Sequence, residues 1–272
     1  MKRRIGCIGC GVMGSALMGA VCKVEHTEVH VSDVDFSKAE QFVAENKSIA
    51  EKTNRSVLQN SEYVFLAVKP NYLMSVLDEI CAVLSKEELN KKVFVSIVAG
   101  VRISKIAEKL GEKAKIIRIM PNTPAIVNEA MIALSPNEYV SGDEINTVED
   151  LLINAGSVQV VPEHLMDGIT AISGSGPAYG YLFIEALADA AVKFGMSRKQ
   201  AFVFAAQTLK GAASMVLKTG KHPGLLKDEV CSPAGTTIEA VHVLEEKGFR
   251  SAVINAAVAA FEKAVLLGNQ NN

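Results

Sequence analysis

Three glycines near the amino terminus have the spacing of a phosphate-binding turn. Gly9, Gly11 and Gly14 follow the apolar stretch 5–8 and precede a helix-forming segment. The first glycine permits a tight turn, the second lets the backbone approach a pyrophosphate, and the third lets helix and strand pack closely. The helix start also offers free N–H groups and its positive dipole end to an anion. The motif predicts a bound dinucleotide, and the alternative is a tight turn with no ligand.

A carboxylate lies where such a site contacts the adenosine ribose. Asp33 lies 19 residues after Gly14, and Asp35 adds a second negative charge. A carboxylate at the end of the second strand hydrogen-bonds the ribose hydroxyls and repels a 2′-phosphate. We therefore expect unphosphorylated NAD(H) to be preferred. Asp33 is alternatively a cap for the helix that begins near Ser37, and the two roles are compatible.

Two further turns follow apolar runs that we interpret as strands. They are Ala67 to Pro70 and Ala99 to Val101. In an open parallel sheet, ligands bind beyond the carboxyl ends of the strands, so both turns are expected to face the cofactor. Lys69 is alternatively a solvated loop lysine.

Two segments in the second half of the chain combine hydroxyl side chains, glycines and a predicted helix start. They are residues 173–179 and residues 231–239. Exposed N–H groups with Ser and Thr hydroxyls form a nest suited to a carboxylate. Plain helix capping is the alternative for each segment. Two such starts together favour an anionic substrate.

The elements that must position these residues change character after Pro162. Before it, apolar runs alternate with helical segments, which is typical of a parallel sheet covered on both faces. Predicted strands cover 5–8, 29–33, 63–68, 93–98, 115–120, 131–134 and 158–161, and predicted helices cover 37–46, 72–84, 104–110 and 143–154. From Leu165 onward come alanine-rich helices, predicted at 176–194, 198–219, 236–247 and 251–267. The fold class is therefore α/β, with a doubly wound Rossmann-type domain over 1–162 and an all-helical dimerisation domain over 163–272, whose broadly apolar helices bury a subunit interface.

Composition argues against several classes of partner. The 272 residues are 49% hydrophobic and carry a formal charge of -2, whereas nucleic acids and anionic membranes select basic surfaces. No apolar run approaches the about 18 residues of a membrane span, so we expect a soluble, cytoplasmic protein. The five cysteines suggest no disulfide framework, and a redox or zinc role for Cys7 and Cys10 is disfavoured because no second Cys pair or nearby His pair accompanies them. We expect no metal site.

Five motifs together resemble the pyrroline-5-carboxylate reductase family over essentially the whole chain. The motifs are GCGVMG at 9–14, FLAVKP at 65–70, RIMPNTP at 118–124, SGSGPAY at 173–179 and the long segment 222–250. The last two are far more specific than a glycine motif alone. The resemblance implies hydride transfer from NAD(P)H to the imine carbon of L-1-pyrroline-5-carboxylate, giving L-proline in the last step of proline biosynthesis.

The resemblance also implies the site residues and the assembly. The implied cofactor-binding residues are Gly9, Cys10, Gly11, Val12, Met13, Asp33, Asn54, Ala67, Lys69, Pro70 and Ala99. The implied substrate-binding residues are Glu163, Gly235, Thr236 and Thr237, with Thr237 and Ser232 as the catalytic pair. Family members form homo-oligomers, commonly dimers assembled into a decamer.

Two departures from the family pattern bear on the cofactor, and two other functions are alternatives. The family usually has a small hydroxyl residue at Asp33 and in some relatives an amide at Glu229, so NADH is expected to be at least tolerated beside NADPH. A β-hydroxyacid dehydrogenase is the alternative enzyme, but it requires a lysine where residues 179–191 have none. A cofactor-sensing protein without turnover is the third hypothesis, and the intact 232–237 loop disfavours it.

Overall fold

A computed structural model describes residues 2–271 and divides them into two compact units. One unit holds the residues up to Ser175 together with the segment from Ala260 onward, and the other is Gly176–Ala259. The predicted domain boundary after residue 162 falls before this division. Segment 163–175 stays with the first unit because Asn122 donates its side-chain N–H to the Ser173 carbonyl at 2.9 Å and Arg118 pairs with Glu163 at 3.2 Å.

Eight strands of the described chain form one sheet. They are β1 (Arg3–Ile8), β2 (Thr27–Ser32), β3 (Ile49–Ala50), β4 (Tyr63–Leu66), β5 (Val93–Ser96), β6 (Lys115–Met120), β7 (Ala130–Pro136) and β8 (Gly156–Val160). Their order in the sheet is β3-β2-β1-β4-β5-β6-β7-β8. Pairs from β3 through β6 are parallel, β7 runs antiparallel to β6, and β8 is parallel to β7. The predicted doubly wound sheet is confirmed.

The sheet is buried on both faces because its central strands have no polar face. In β4, Phe65 belongs to one hydrophobic core, whereas Val64 and Leu66 belong to a second core, and all three are at most 1% exposed. Successive side chains of a strand point to opposite faces, so the two cores lie on opposite sides of the sheet. Each such side chain contributes roughly 1.5–3 kcal/mol on burial.

Helices cover these faces between the strands. They are α1 (Val12–Val21), α2 (Phe36–Glu45), α3 (Asn54–Gln59), α4 (Pro70–Val83), α5 (Lys86–Lys91), α6 (Ile103–Leu110), α7 (Gly142–Leu152) and α8 (Met166–Ile169). The short helices α3 and α5 were not predicted, and side-chain caps define their starts. Thr53 accepts from the Ser56 N–H at the start of α3, and Ser85 forms a capping box with Glu88 at the start of α5.

The predicted helix start within 173–179 is not a free amino-terminal end. Residues Thr170–Gly174 continue α8 as a π-helical turn, and the Ser175 N–H donates to the Thr170 carbonyl at 2.8 Å. A Cβ on Gly174 would lie 2.8 Å from the Met120 side chain, so this turn packs closely on β6. The Ser175 N–H is therefore used within the fold, which leaves 231–239 as the predicted anion-binding helix start.

The second unit is helical throughout, as predicted. Its helices are α9 (Gly176–Lys193), α10 (Arg198–Thr219), α11 (Pro223–Val230), α12 (Thr236–Glu246) and the first part of α13 (Phe249–Asn271). Within the described residues of this unit, the buried hydrophobic core consists of Ala188, Ala201 and Ala205. Large apolar side chains are exposed instead, among them Leu182, Val203, Phe204, Leu217 and Val253.

The exposed apolar surface of this unit includes a groove between α9, α12 and α13. The groove has a volume of about 720 Å³ and is lined chiefly by Leu182, Phe183, Leu187, Val243, Leu244 and Phe249. Among the described helices, the stretch Phe249–Gln270 is also long and apolar enough to cross a membrane, with a mean hydropathy of 1.5.

Candidate functional site

The predicted cofactor residues lie together at one edge of the sheet. Strands β1, β2, β4 and β5 are parallel, so their carboxyl ends share this edge. Residues 9–13 follow β1, Asp33 follows β2, residues 67–70 follow β4 and Ala99 follows β5. The direction of strand order reverses between β1 and β4, and such a switch point is where open α/β sheets bind ligands.

The glycine loop at this edge has the shape that a pyrophosphate requires. Gly9 has a φ of +109°, and a Cβ there would lie 2.5 Å from the Ala67 carbonyl oxygen. A Cβ on Gly14 would lie 2.3 Å from the Gly9 carbonyl oxygen, so both positions need glycine. A Cβ on Gly11 would meet nothing within 4 Å. Because Gly11 caps α1 without a side chain, the helix start presents its N–H groups to open space.

Asp33 is attached to the glycine loop by its carboxylate. Asp33 Oδ2 accepts from the Cys10 N–H at 2.8 Å, and Oδ1 accepts from the Asp35 N–H at 2.9 Å. The carbonyl of Ser32 accepts from the Gly9 N–H at 2.8 Å. The end of β2 therefore fixes the loop, and a carboxylate retains lone pairs for further donors such as ribose hydroxyls.

The two cysteines of the loop have thiols that resist ionisation. Burial, with the negative charge of Asp33 as a second cause, raises the pKa of Cys10 to about 12. Burial also raises the pKa of Cys7 well above its ordinary value. Since the thiolate is the reactive form, both side chains are inert packing groups at neutral pH. Within residues 2–271, no group of three or more His, Cys, Asp or Glu side chains is arranged to hold a metal ion.

Asn54 is held between β2 and α4 by two hydrogen bonds. The Ser32 hydroxyl donates to Asn54 Oδ1 at 2.8 Å, and Asn54 Nδ2 donates to Glu79 Oε2 at 2.7 Å. Ser32 is 2% exposed. Neither partner of Asn54 was predicted from the sequence. The position of Ser32 at the end of β2, next to Asp33, was the available signal for this residue, whereas nothing in the sequence marks Glu79.

The turns after β4 and β5 adopt the conformations that helix and loop starts need. Lys69 caps α4 with extended backbone, and Pro70 occupies the first helical position, where its missing N–H costs nothing. Gly100, which follows Ala99, has a φ of +73°. Lys69 lines a cleft of about 770 Å³ together with Cys10, Gly11 and Val12. Its ammonium group therefore belongs to the surface around the glycine loop.

The 232–237 loop of the second unit forms a free helix start. Ala234 has a left-handed φ of +56°, and the Gly235 N–H donates to the Ser232 carbonyl at 3.0 Å. A Cβ on Gly235 would lie 2.2 Å from the Ser232 hydroxyl oxygen, so a larger residue there would displace that hydroxyl. Gly235 caps α12 without a side chain, and Thr236 and Thr237 are the first helical residues. Backbone N–H groups, the exposed Thr236 and the half-buried Thr237 thus lie at the positive end of a helix.

The carboxylate of Glu163 is hydrogen-bonded to two groups within the first unit. Its Oε1 accepts from the Ile103 N–H at 2.8 Å and from Arg118 Nη1 at 3.2 Å. Arg118 is 5% exposed, and it also lies 3.9 Å from Asp167. Glu163 therefore satisfies an unpaired N–H at the start of α6 and neutralises a buried guanidinium. A contact with substrate stays a prediction for this residue.

The reversed strand order, the free start of α1 and the carboxylate at the end of β2 define a Rossmann-type dinucleotide-binding protein. A family profile described as "Pyrroline-5-carboxylate reductase dimerisation" matches residues 163–267, and one described as "NADP oxidoreductase coenzyme F420-dependent" matches residues 4–100. The pyrroline-5-carboxylate reductase of Escherichia coli (strain K12) is 45% identical over 97% of this chain and 98% of the relative. The chain therefore belongs to the pyrroline-5-carboxylate reductase family.

Solved structures agree with this assignment over the same extent. A pyrroline-5-carboxylate reductase structure from Coxiella burnetii matches with a TM-score of 0.89 and 33% identity, covering 98% of this chain and 99% of that one. A Plasmodium falciparum pyrroline carboxylate reductase structure with NADP bound matches with a TM-score of 0.85 and 34% identity, covering 98% of both chains. The likeness spans both compact units.

Proposed function

We propose that this protein reduces L-1-pyrroline-5-carboxylate to L-proline with NAD(P)H, as the last step of proline biosynthesis. The observation that carries the proposal is likeness over the full length: 97% of the chain aligns with a reductase of this name at 45% identity. The cytoplasm is the proposed location. Both the glycine loop and the 232–237 loop lie within the aligned extent of the solved relatives, which cover 98% of the chain.

The first unit would hold the cofactor at the carboxyl edge of its sheet. The open space beyond Gly11 and the free N–H groups of α1 fit a pyrophosphate. Asp33, which follows β2, would contact the adenosine ribose, and Asn54, Lys69 and the turn at Ala99 would complete the proposed groove. A bound reduced nicotinamide supplies the hydride.

The second unit would hold the substrate carboxylate at the start of α12. The N–H groups of Thr236 and Thr237 and the dipole of an 11-residue helix suit a negative group. The Thr237 hydroxyl adds a hydrogen-bond donor beside them, with Ser232 and Gly235 fixing the turn. A protonated imine is already electrophilic, so the main task of these residues is to orient the ring and exclude water.

Asp33 favours NADH over NADPH within this proposal. Its carboxylate faces the glycine loop rather than bulk solvent, because it accepts from the Cys10 N–H at 2.8 Å. Lys38, the nearest cation of that turn, lies 3.8 Å from Asp35 and is thereby partly neutralised. A 2′-phosphate would meet the Asp33 carboxylate, whereas the nearest cation, Lys38, is already paired with Asp35. Like charges at close range are unfavourable.

Homo-oligomer formation accounts for the apolar surface of the second unit. The dimerisation profile covers 163–267, which includes α9 to α12 and most of α13. Burial of Leu182, Phe183 and Phe249 against a second copy would remove a large apolar surface from water. We propose a dimer as the basic assembly, with dimers combined into a decamer.

Steady-state kinetics test the proposal directly. The protein is incubated with L-1-pyrroline-5-carboxylate and either NADH or NADPH, and both oxidation of the cofactor and formation of L-proline are measured. We expect stoichiometric proline, with a higher kcat/KM for NADH. Cofactor binding without turnover would instead support a sensing protein, and turnover of a 3-hydroxy acid without proline formation would support a hydroxyacid dehydrogenase.

A further inference from the structure

Glu79 is a side chain to which neither the sequence motifs nor the proposed reaction gives a role. It lies in α4, 25 residues beyond Asn54, and its Oε2 accepts from Asn54 Nδ2 at 2.7 Å. Asn54 begins α3 and is one of the residues proposed to contact the cofactor. This N···O distance is shorter than that of an ordinary amide hydrogen bond, as is typical when the acceptor carries a charge.

The chemistry of the two partners of Asn54 is unequal. On one side lies the Ser32 hydroxyl, 2.8 Å from Asn54 Oδ1. A hydroxyl can donate or accept, so it tolerates either end of an amide. An ionised carboxylate only accepts, so Glu79 requires the nitrogen end of Asn54 to face α4. The oxygen end must then face β2, and Ser32 must donate to it.

We infer that Glu79 is a positioning residue for the cofactor site, because it alone decides which way the Asn54 amide points. The inference rests on the proposed cofactor role of Asn54. Through Ser32 the same chain of contacts reaches the glycine loop, since the Ser32 carbonyl accepts from the Gly9 N–H at 2.8 Å. Glu79 thus fixes a donor and acceptor pattern at the end of β2 from a separate helix.

The direction in which one substitution changes cofactor affinity distinguishes positioning from simple electrostatics. Both NADH and NADPH are anions, so removal of a nearby negative charge strengthens their binding if charge is all that matters. Glu79→Gln keeps the size of the side chain but restores its freedom to donate or accept, so the amide of Asn54 loses its unique orientation. Positioning therefore predicts weaker binding where electrostatics predicts tighter binding.

A matched control lies next to Glu79 in the same helix. Asp78 has a side chain that is 62% exposed and pairs with Lys109 at 2.8 Å, away from Asn54. Asp78→Asn removes the same charge from the neighbouring position. It is expected to leave the dissociation constant of NADH unchanged within about twofold, since exposed pairs contribute little.

The experiment measures NADH dissociation constants by fluorescence titration for the wild type, Glu79→Gln, Asp78→Asn, Asn54→Ala and the Asn54→Ala/Glu79→Gln double variant. We expect Glu79→Gln to weaken binding about three- to tenfold, the factor for one hydrogen bond, and to add nothing once Asn54 is alanine. Unchanged or tighter binding in Glu79→Gln, or an additive effect in the double variant, overturns the inference.

Turnover is measured on the same samples of the wild type and Glu79→Gln. NADH binding without L-proline formation would refute the proposed reaction and leave the role of Glu79 intact. The expected effect in Glu79→Gln is confined to the KM for NADH, with the KM for L-1-pyrroline-5-carboxylate unchanged. An equal rise in both constants would show a general disturbance of the fold and would also overturn the inference.

Discussion

Replacement of Asp33 by serine is expected to shift cofactor preference toward NADPH. The carboxylate accepts from the Cys10 N–H at 2.8 Å and is proposed to accept from ribose hydroxyls as well. A hydrogen bond to a charged group contributes about 1.5–3 kcal/mol. Repulsion between this carboxylate and a 2′-phosphate adds about 1–4 kcal/mol for each pair of unit charges near 4 Å, depending on exposure.

The change in cofactor preference depends only on contacts that differ between NADH and NADPH. Loss of the acceptor for the Cys10 N–H weakens the binding of NADH and NADPH alike, so this effect cancels in the ratio of their kcat/KM values. The ribose and phosphate contributions remain, and Asp33 is partly exposed, which calls for the lower end of each range. A change of about 2 kcal/mol corresponds to about a 30-fold rise in the NADPH to NADH ratio of kcat/KM.

Two further variants separate the charge of Asp33 from its contact with the loop. Asp33→Asn keeps an acceptor oxygen for the Cys10 N–H but carries no charge, so it is expected to change the ratio less and to bind both cofactors better than Asp33→Ser. Asp35→Ser is the matched control, because Asp35 pairs with Lys38 at 3.8 Å and accepts from the Ser37 hydroxyl. An unchanged ratio in Asp33→Ser, or an equal shift in Asp35→Ser, would refute this reasoning.

Three other substitutions test the remaining features. Thr237→Val is expected to raise the substrate KM and lower kcat about tenfold in steady-state assays, with recovery in Thr237→Ser, because only the hydroxyl donor is removed; equal kinetics in Thr237→Val would exclude the contact. Ala234→Gly is expected to raise stability to urea by up to about 1 kcal/mol, since Ala234 has a φ of +56° and glycine relieves that strain; a lower midpoint would contradict it. For Glu144, burial raises the pKa, but hydrogen bonds from Lys115 and from the cap of α7 outweigh it and leave the pKa below its usual value. The carboxylate therefore stabilises the fold at neutral pH and ceases to as pH falls through the lowered pKa, so Glu144→Gln should lose about 1 kcal/mol in urea unfolding at pH 7 and nothing at a pH below that pKa; a pH-independent difference would refute the assignment.

The sheet of the first unit was predictable because its signals are local and redundant. The run at β4 is apolar at every position, and the run at β5 is apolar at every position except Ser96, which specifies burial on both faces. The predicted strand 115–120 matches β6 residue for residue. The two-residue strand β3 and the six-residue helix α3 escaped prediction, because neither is long enough to show a period.

The location of the candidate cofactor site at one edge of the sheet could be predicted from the sequence, but the contacts between its residues could not. Strand ends and glycine spacing placed Asp33 and the glycine loop at one edge. The bond from Asn54 to Glu79 joins residues 25 apart on different helices, and such a pairing depends on how α3 packs beside α4. The use of the Ser175 N–H by Thr170 was also hidden, because a π-helical turn has no distinctive sequence pattern.

Because the internal core of the second unit is small, the stability of this unit depends on protein concentration. Its buried hydrophobic residues within the described part are three alanines, whereas side chains such as Leu217 are 85% exposed. Burial of three methyl groups offsets little of the conformational entropy of ordering five helices, so association between copies adds stability by covering the exposed apolar side chains. For a dimer, each tenfold dilution then removes about 1.4 kcal/mol of stability. The concentration of the protein in the cell thereby becomes one of the determinants of its structure.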